Sequence, residues 1–284
     1  MGKARLVAIG AALGYLATGI ALWGCQSRLI FEPGTALSPR PAQLSFPIVE
    51  VAIAQDGPGR LNGWWIPAAQ SPLARGKTVL YLHGNDGTVA SSTREVAPLR
   101  ALGYSVLLVD YRGFGISPGP VPSEASVYRD AEAAWNYLIG EKNINPKALY
   151  IYGHSLGGAI AIELARRHPE AAGLVVESSF TSIYDMARLE KRYALLPVDL
   201  FLNQRFDSLS KVGELKLPVL FLHGTADEIV PFAMGERLFA ATGAGARFVA
   251  IEGGRHDHDE AGEAVIRGAL REFAGPNAIA ALSL

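Results

Sequence analysis

Cysteine is almost missing from these 284 residues: Cys25 stands alone. That excludes an intramolecular disulfide and any cysteine cluster for zinc. Net charge is missing too, with 26 basic against 27 acidic side chains, and no basic arm or acidic tail occurs. The electrostatic footprint of a nucleic-acid binder is therefore absent. Nor is there an internal repeat or low-complexity tract. What the chain has in quantity is apolar residues, 49% of the total, enough for one substantial catalytic core plus a terminal appendage.

One local absence is informative. No charge falls between residues 6 and 25, while Lys3 and Arg5 precede that stretch and Arg28 follows it. As a helix the run would be about 30 Å long, the thickness of a bilayer's hydrocarbon core. The expectation is an N-terminal membrane anchor over 1–27. Two alternatives stand beside it: a cleaved signal peptide, and a lipoprotein signal ending at Cys25. The run is longer than a usual signal core and lacks a small-x-small cleavage site. Trp23 sits where a lipoprotein signal usually has a small residue and suits an interfacial aromatic better. Positive charge ahead of the span places the large domain outside the cytoplasm.

Prolines at 33, 39, 41 and 47 predict an extended connector over 28–43. Alternating apolar residues at 49–53 and 61–66, around a Gly/Pro turn, predict an antiparallel hairpin. Trp64 and Trp65 read as packing on its faces. Then the pattern changes to short continuous apolar runs at 78–82, 105–109, 148–152, 174–176, 219–222 and 248–251. Such runs are buried parallel strands. Helical periods separate them, one from Ser92 with Glu95 completing a capping box, another from Ser123 to Leu138. The expected fold class is α/β: a mostly parallel sheet behind the hairpin, with helices on both faces, over 44–275, and a tail over 276–284. The connection from 178 to 217 exceeds a plain crossover and predicts a small cap over about 181–212, broken at Pro197. Phe201, Leu202 and Phe206 in that cap hint at an apolar substrate group.

In a parallel sheet, ligands bind beyond the carboxyl ends of the strands. Three chemically capable side chains fall there. Ser155 lies in Gly153-His-Ser-Leu-Gly-Gly158, between a strand pattern and a helix pattern. This is the setting of a nucleophile elbow, whose glycines leave room a Cβ would fill. A second Gly-x-Ser-x-Gly occurs around Ser117, but Pro118 has no N–H to offer an oxyanion, so Ser117 reads as a turn residue. Asp227 follows the fifth parallel run and His256 the sixth. Ser155 as nucleophile, His256 as base and Asp227 as its orienting carboxylate keep the chain order expected on such a sheet.

Alternatives exist for each. Asp227 could merely cap a helix, and His258 could replace His256 in the loop Arg255-His-Asp-His-Asp259. The lead-in Gly253-Gly254 favours His256. His154, His168 and His223 read as structural, and the His/Asp loop lacks the i, i+4 pair of a metal site. The turn His83-Gly-Asn-Asp-Gly87 offers backbone donors: the N–H groups of Asn85 and Leu156 form the expected oxyanion hole, each worth roughly 3 kcal/mol in the transition state. Its spacing fits no phosphate-binding fingerprint. No cofactor is called for.

With these residues in place, the chain resembles the α/β-hydrolase family over about 230 residues. The matching stretches are Leu82-His-Gly-Asn-Asp-Gly87, Asp110-Tyr-Arg-Gly-Phe-Gly115, Tyr152-Gly-His-Ser-Leu-Gly-Gly158, Leu222-His-Gly-Thr-Ala-Asp-Glu-Ile-Val-Pro231 and Gly253-Gly-Arg-His256. It is most similar to membrane-anchored single-domain members, serine-aminopeptidase-like bacterial proteins and depalmitoylating thioesterases. Arg255 departs from that group, which often has a small residue there. The resemblance implies hydrolysis of an ester or thioester of a small acylated substrate through an acyl-enzyme on Ser155, without cofactor. Two rival expectations are short-peptide hydrolysis and a catalytically silent binding module.

Overall fold

A computed structural model describes residues 2–34, 46–69, 76–193, 196 and 198–274. The side chains at 4, 6–8, 11, 12, 94 and 192 lie outside that description. So do the connector prolines Pro39 and Pro41, the expected break at Pro197 and the tail over 276–284.

The first helix, α1 (Lys3–Ile30), runs past the expected boundary at 27. It is succeeded by β1 (Glu32–Pro33), inside the stretch expected to be an extended connector. Among the described residues no helix is long and apolar enough to cross a membrane.

The hairpin forms as expected, from β2 (Val49–Ala54) and β3 (Arg60–Ile66). Then come β4 (Thr78–Leu82), the short β5 (Asp86–Gly87), α2 (Thr93–Ala101) and β6 (Ser105–Val109). Further along lie α3 (Glu124–Gly140), β7 (Leu149–His154), α4 (Leu156–Arg167) and β8 (Gly173–Glu177). The cap holds α5 (Ile183–Leu189), α6 (Val198–Phe201) and α7 (Leu209–Val212). The chain closes with β9 (Val219–Gly224), α8 (Phe232–Ala241), β10 (Ala246–Ile251) and α9 (Glu260–Phe273).

Eight of these strands form one sheet in the order β10-β9-β8-β7-β4-β6-β3-β2, parallel except where β3 pairs antiparallel with β2 and β6. Strands β4, β8 and β9 are buried throughout, and β7 up to His154, because helices cover both faces. One hydrophobic cluster lies on each face. Trp64 belongs to one and Trp65 packs against the other, as successive residues on a strand must.

Two local expectations are corrected. Ser92 does not close a capping box: its side chain makes no cap hydrogen bond, and its backbone (φ −79°, ψ 6°) is already in the turn. By contrast Ser123 caps α3 through a reciprocal box with Ser126. The last strand, β10, is half exposed rather than buried on both faces, because it is the edge of the sheet.

Candidate active site

The elbow follows from sterics. Ser155 has φ 54° and ψ −122° between β7 and α4, a strained conformation that its surroundings must hold. A Cβ on Gly153 would sit 2.1 Å from the carbonyl oxygen of Gly157, and one on Gly157 would sit 2.0 Å from that of Leu82. Only glycine lets the turn close so near β4. The Ser155 N–H bonds the Glu177 carbonyl at 2.9 Å, and the Ser179 hydroxyl donates to the Ser155 carbonyl at 2.8 Å. Ser179 is a support the sequence reading missed.

Asp227 and His256 come together. His256 Nδ1 lies 2.9 Å from Asp227 Oδ2 and 3.1 Å from Oδ1. Asp227 also accepts the N–H groups of Ile229 and Val230, at 2.9 and 2.8 Å, and has His223 Nε2 at 3.3 Å. Burial works to raise its pKa, but the contacts with His223 and His256 outweigh it. The carboxyl is held far below the ordinary carboxylate range. A fixed anion facing Nδ1 keeps the proton there and leaves Nε2 as the base. No hydrogen bond of the described residues joins His256 to Ser155, the contact that often tightens only with substrate.

His258, the alternative base, faces away. Its Nε2 lies 3.1 Å from Glu177 Oε1, as an ion pair, on the far side of the His256 loop. The ring nitrogens make no angularly sound hydrogen bond, so charge rather than direction holds this pair. Glu177 also accepts the Tyr152 hydroxyl. Burial would raise Glu177, yet the neighbouring His258 and the charge of His154 pull it down to about 2. Burial likewise works against charge on His258, and Glu177 reverses the sign, raising it. His154 Nε2 lies 3.3 Å from the His256 carbonyl, and His154 lines a separate small cleft with Glu177 and His258. This buried network also escaped sequence reasoning.

The expected oxyanion donors, Asn85 and Leu156, lie with Ser155 around one apolar cavity of about 260 Å³. No hydrogen bond of the described residues uses either amide. The turn runs close to the elbow: a Cβ on Gly84 would lie 3.5 Å from the Ser155 Cβ, in ordinary contact. The Asp110-Tyr-Arg-Gly-Phe-Gly115 stretch braces this turn. The Tyr111 hydroxyl donates to the His83 carbonyl at 3.1 Å, and Asp110, pushed by burial up to about 6, accepts the Val89 N–H at 2.7 Å. Ser117 is committed elsewhere, donating to the Asp110 carbonyl and accepting the Asn62 N–H, both at 2.8 Å. Arg255 turns to solvent and pairs with Glu228, so it does not crowd the cavity. Phe201 and Leu202 line it, whereas Phe206 is buried against Phe31 and Tyr128. No cluster suited to a metal occurs among the described residues.

A sheet of this order, with a serine on a strand-to-helix elbow and loops for an acid and a histidine beyond later strands, defines an α/β-hydrolase. The comparisons agree. A family model described as serine aminopeptidase, S33, matches residues 74–211. An uncharacterized Mycobacterium tuberculosis protein is 33% identical over 280 residues, 98% of each chain. A lysophosphatidylserine lipase, ABHD12, from Danio rerio is 39% identical over 180 residues, covering 57% of this chain and 46% of that one. A Pyrococcus furiosus esterase superposes with a TM-score of 0.67 at 22% identity, covering 86% of this chain and all of its own. The chain belongs to the α/β-hydrolase family.

Proposed function

We propose that the protein is a serine hydrolase that cleaves carboxylic esters or thioesters through an acyl-enzyme on Ser155. The observation that carries this reading is the placement of Ser155 on a strained elbow at an apolar cavity, with a bonded His256–Asp227 pair from neighbouring loops. His256 takes the Ser155 proton as the hydroxyl attacks the carbonyl carbon. The Asn85 and Leu156 amides receive the negative charge that develops on the carbonyl oxygen. The alcohol or thiol leaves with the proton from His256, and water, activated by the same imidazole, releases the acid. The esterase and lipase among its relatives support ester chemistry.

Membrane association through α1, with the catalytic domain outside the cytoplasm, belongs to the same proposal. It is supported by exposed Ile9, Leu13, Leu16, Ile20 and Trp23 on α1, apolar surface that water disfavours.

A fluorophosphonate probe tests the chemistry without a known substrate, since it reacts with an activated serine. Wild-type protein is expected to label, Ser155→Ala not at all, and Ser117→Ala as wild type. A folded wild-type protein that does not label overturns the mechanism and leaves a binding role.

A further inference from the structure

One wall of the cavity beside Ser155 is not made by the hydrolase domain. Leu22, Gln26, Leu29 and Ile30 of α1 line it, together with Met186 and Phe201 of the cap. Helical spacing puts Leu22, Gln26 and Leu29 on one face, at i, i+4 and i+7.

This face is fastened to the domain. Gln26, only 7% exposed, accepts the N–H groups of Asn203 and Gln204 at 2.8 and 3.2 Å and donates to the Phe201 carbonyl. Two turns earlier, a Cβ on Gly19 would meet the Phe201 ring at 2.3 Å, so glycine there lets the cap lie directly on the helix. At the exit, Asn85 Nδ2 bonds the Ile30 carbonyl at 3.2 Å, Phe31 is buried, and β1 pairs with β5. The helix end is thus a wall of the site and not a leash.

The rim continues the theme. Ile229 lines the cavity and is itself exposed, and Leu200 of α6, the helix packed on α1, is 78% exposed. On α1 these pass into exposed Ile20 and Trp23. Exposed apolar side chains on α1 and α6 therefore accompany a chamber of about 260 Å³ at Ser155, small for a drug-sized ligand.

We infer that the last turns of α1 are part of the acyl-binding site, and that the substrate is a single-chain ester resident in a lipid surface, whose chain slides along α1 to Ser155. This rests on the hydrolase reading above. Two ester sources share this chemistry, a chain drawn from lipid and one arriving from water.

The test uses the full chain in phosphatidylcholine vesicles, after fluorophosphonate labelling has established that Ser155 is active. The readout is the ratio of kcat/KM for 4-nitrophenyl dodecanoate to that for 4-nitrophenyl butyrate. Leu22→Trp narrows the α1 wall and Met186→Trp the cap wall. Both are expected to lower the ratio about tenfold, the effect of excluding roughly two methylenes. A lowered ratio in Met186→Trp but not in Leu22→Trp, or in neither, overturns the inference while leaving the labelled nucleophile intact. If Leu22→Trp fails to fold by thermal melt, Leu29→Trp takes its place. For the source, initial rates are compared with dodecanoate in the protein's own vesicles and in separate ones. Faster turnover in its own vesicles is expected; equal rates overturn lateral entry.

Discussion

At residue scale the arrangement places its charges in pairs. Asp227 is enclosed by donors, and in the proposed mechanism it orients a proton on His256 Nδ1. Asp227→Asn keeps the shape but favours the wrong tautomer, so kcat on 4-nitrophenyl butyrate is expected to fall about 10³- to 10⁴-fold. Behind the same loop, the ion pair of His258 and Glu177 gives a pH signature. Glu177 is depressed to about 2, so its contribution is present above the ordinary glutamate value near 4.5 and lost as pH falls towards 2. His258 is raised, so its contribution is full below the ordinary histidine value near 6.5 and lost as pH climbs through its higher folded value. The melting-temperature difference between wild type and His258→Gln should therefore peak between about pH 4.5 and 6.5 and shrink on either side. A difference that stays flat with pH would show that the ion pair adds nothing to packing.

At the scale of elements, much was legible because one physical constraint decided it. The parallel strands showed as unbroken apolar runs since both faces are covered. The elbow showed as glycines since a Cβ on 153 or 157 has nowhere to go. Asp227 and His256 showed because the ends of parallel strands are where such side chains converge. The return of α1 to the site was illegible: Gln26 finds its partners in a segment some 175 to 178 residues away in sequence, and no local pattern marks that pairing. Ser92 misled because a capping-box pattern needs an extended cap residue, and the turn from Thr88 had already bent the chain. Phe206 carried an apolar signal that packing absorbed. The fastening of α1 makes a stability prediction. Phe31 packs edge-on against Phe114 and Phe206, so Phe31→Ala should cost about 3–5 kcal/mol, measured by chemical denaturation of the catalytic domain.

At the scale of the whole molecule, α1 divides into two parts with separable duties. The described side chains before Leu22 are largely exposed and α1 touches the domain at Gly19, whereas Leu22, Gln26, Leu29 and Ile30 line the cavity. Deleting residues 2–21 is therefore expected to abolish flotation with phosphatidylcholine vesicles while fluorophosphonate still labels Ser155. Persistent flotation would move lipid contact elsewhere on the surface.

The pairing of β1 with β5 has a mechanical consequence. The Glu32 N–H bonds the Asn85 carbonyl at 2.8 Å, so the chain leaving α1 and the amide facing the oxyanion are coupled in series. A misplacement on the order of 1 Å in a catalytic group costs about a hundredfold in rate. Any displacement of the α1 end would thus act as torque on the proposed reaction centre, and whatever shifts that helix would be read out as a change in rate.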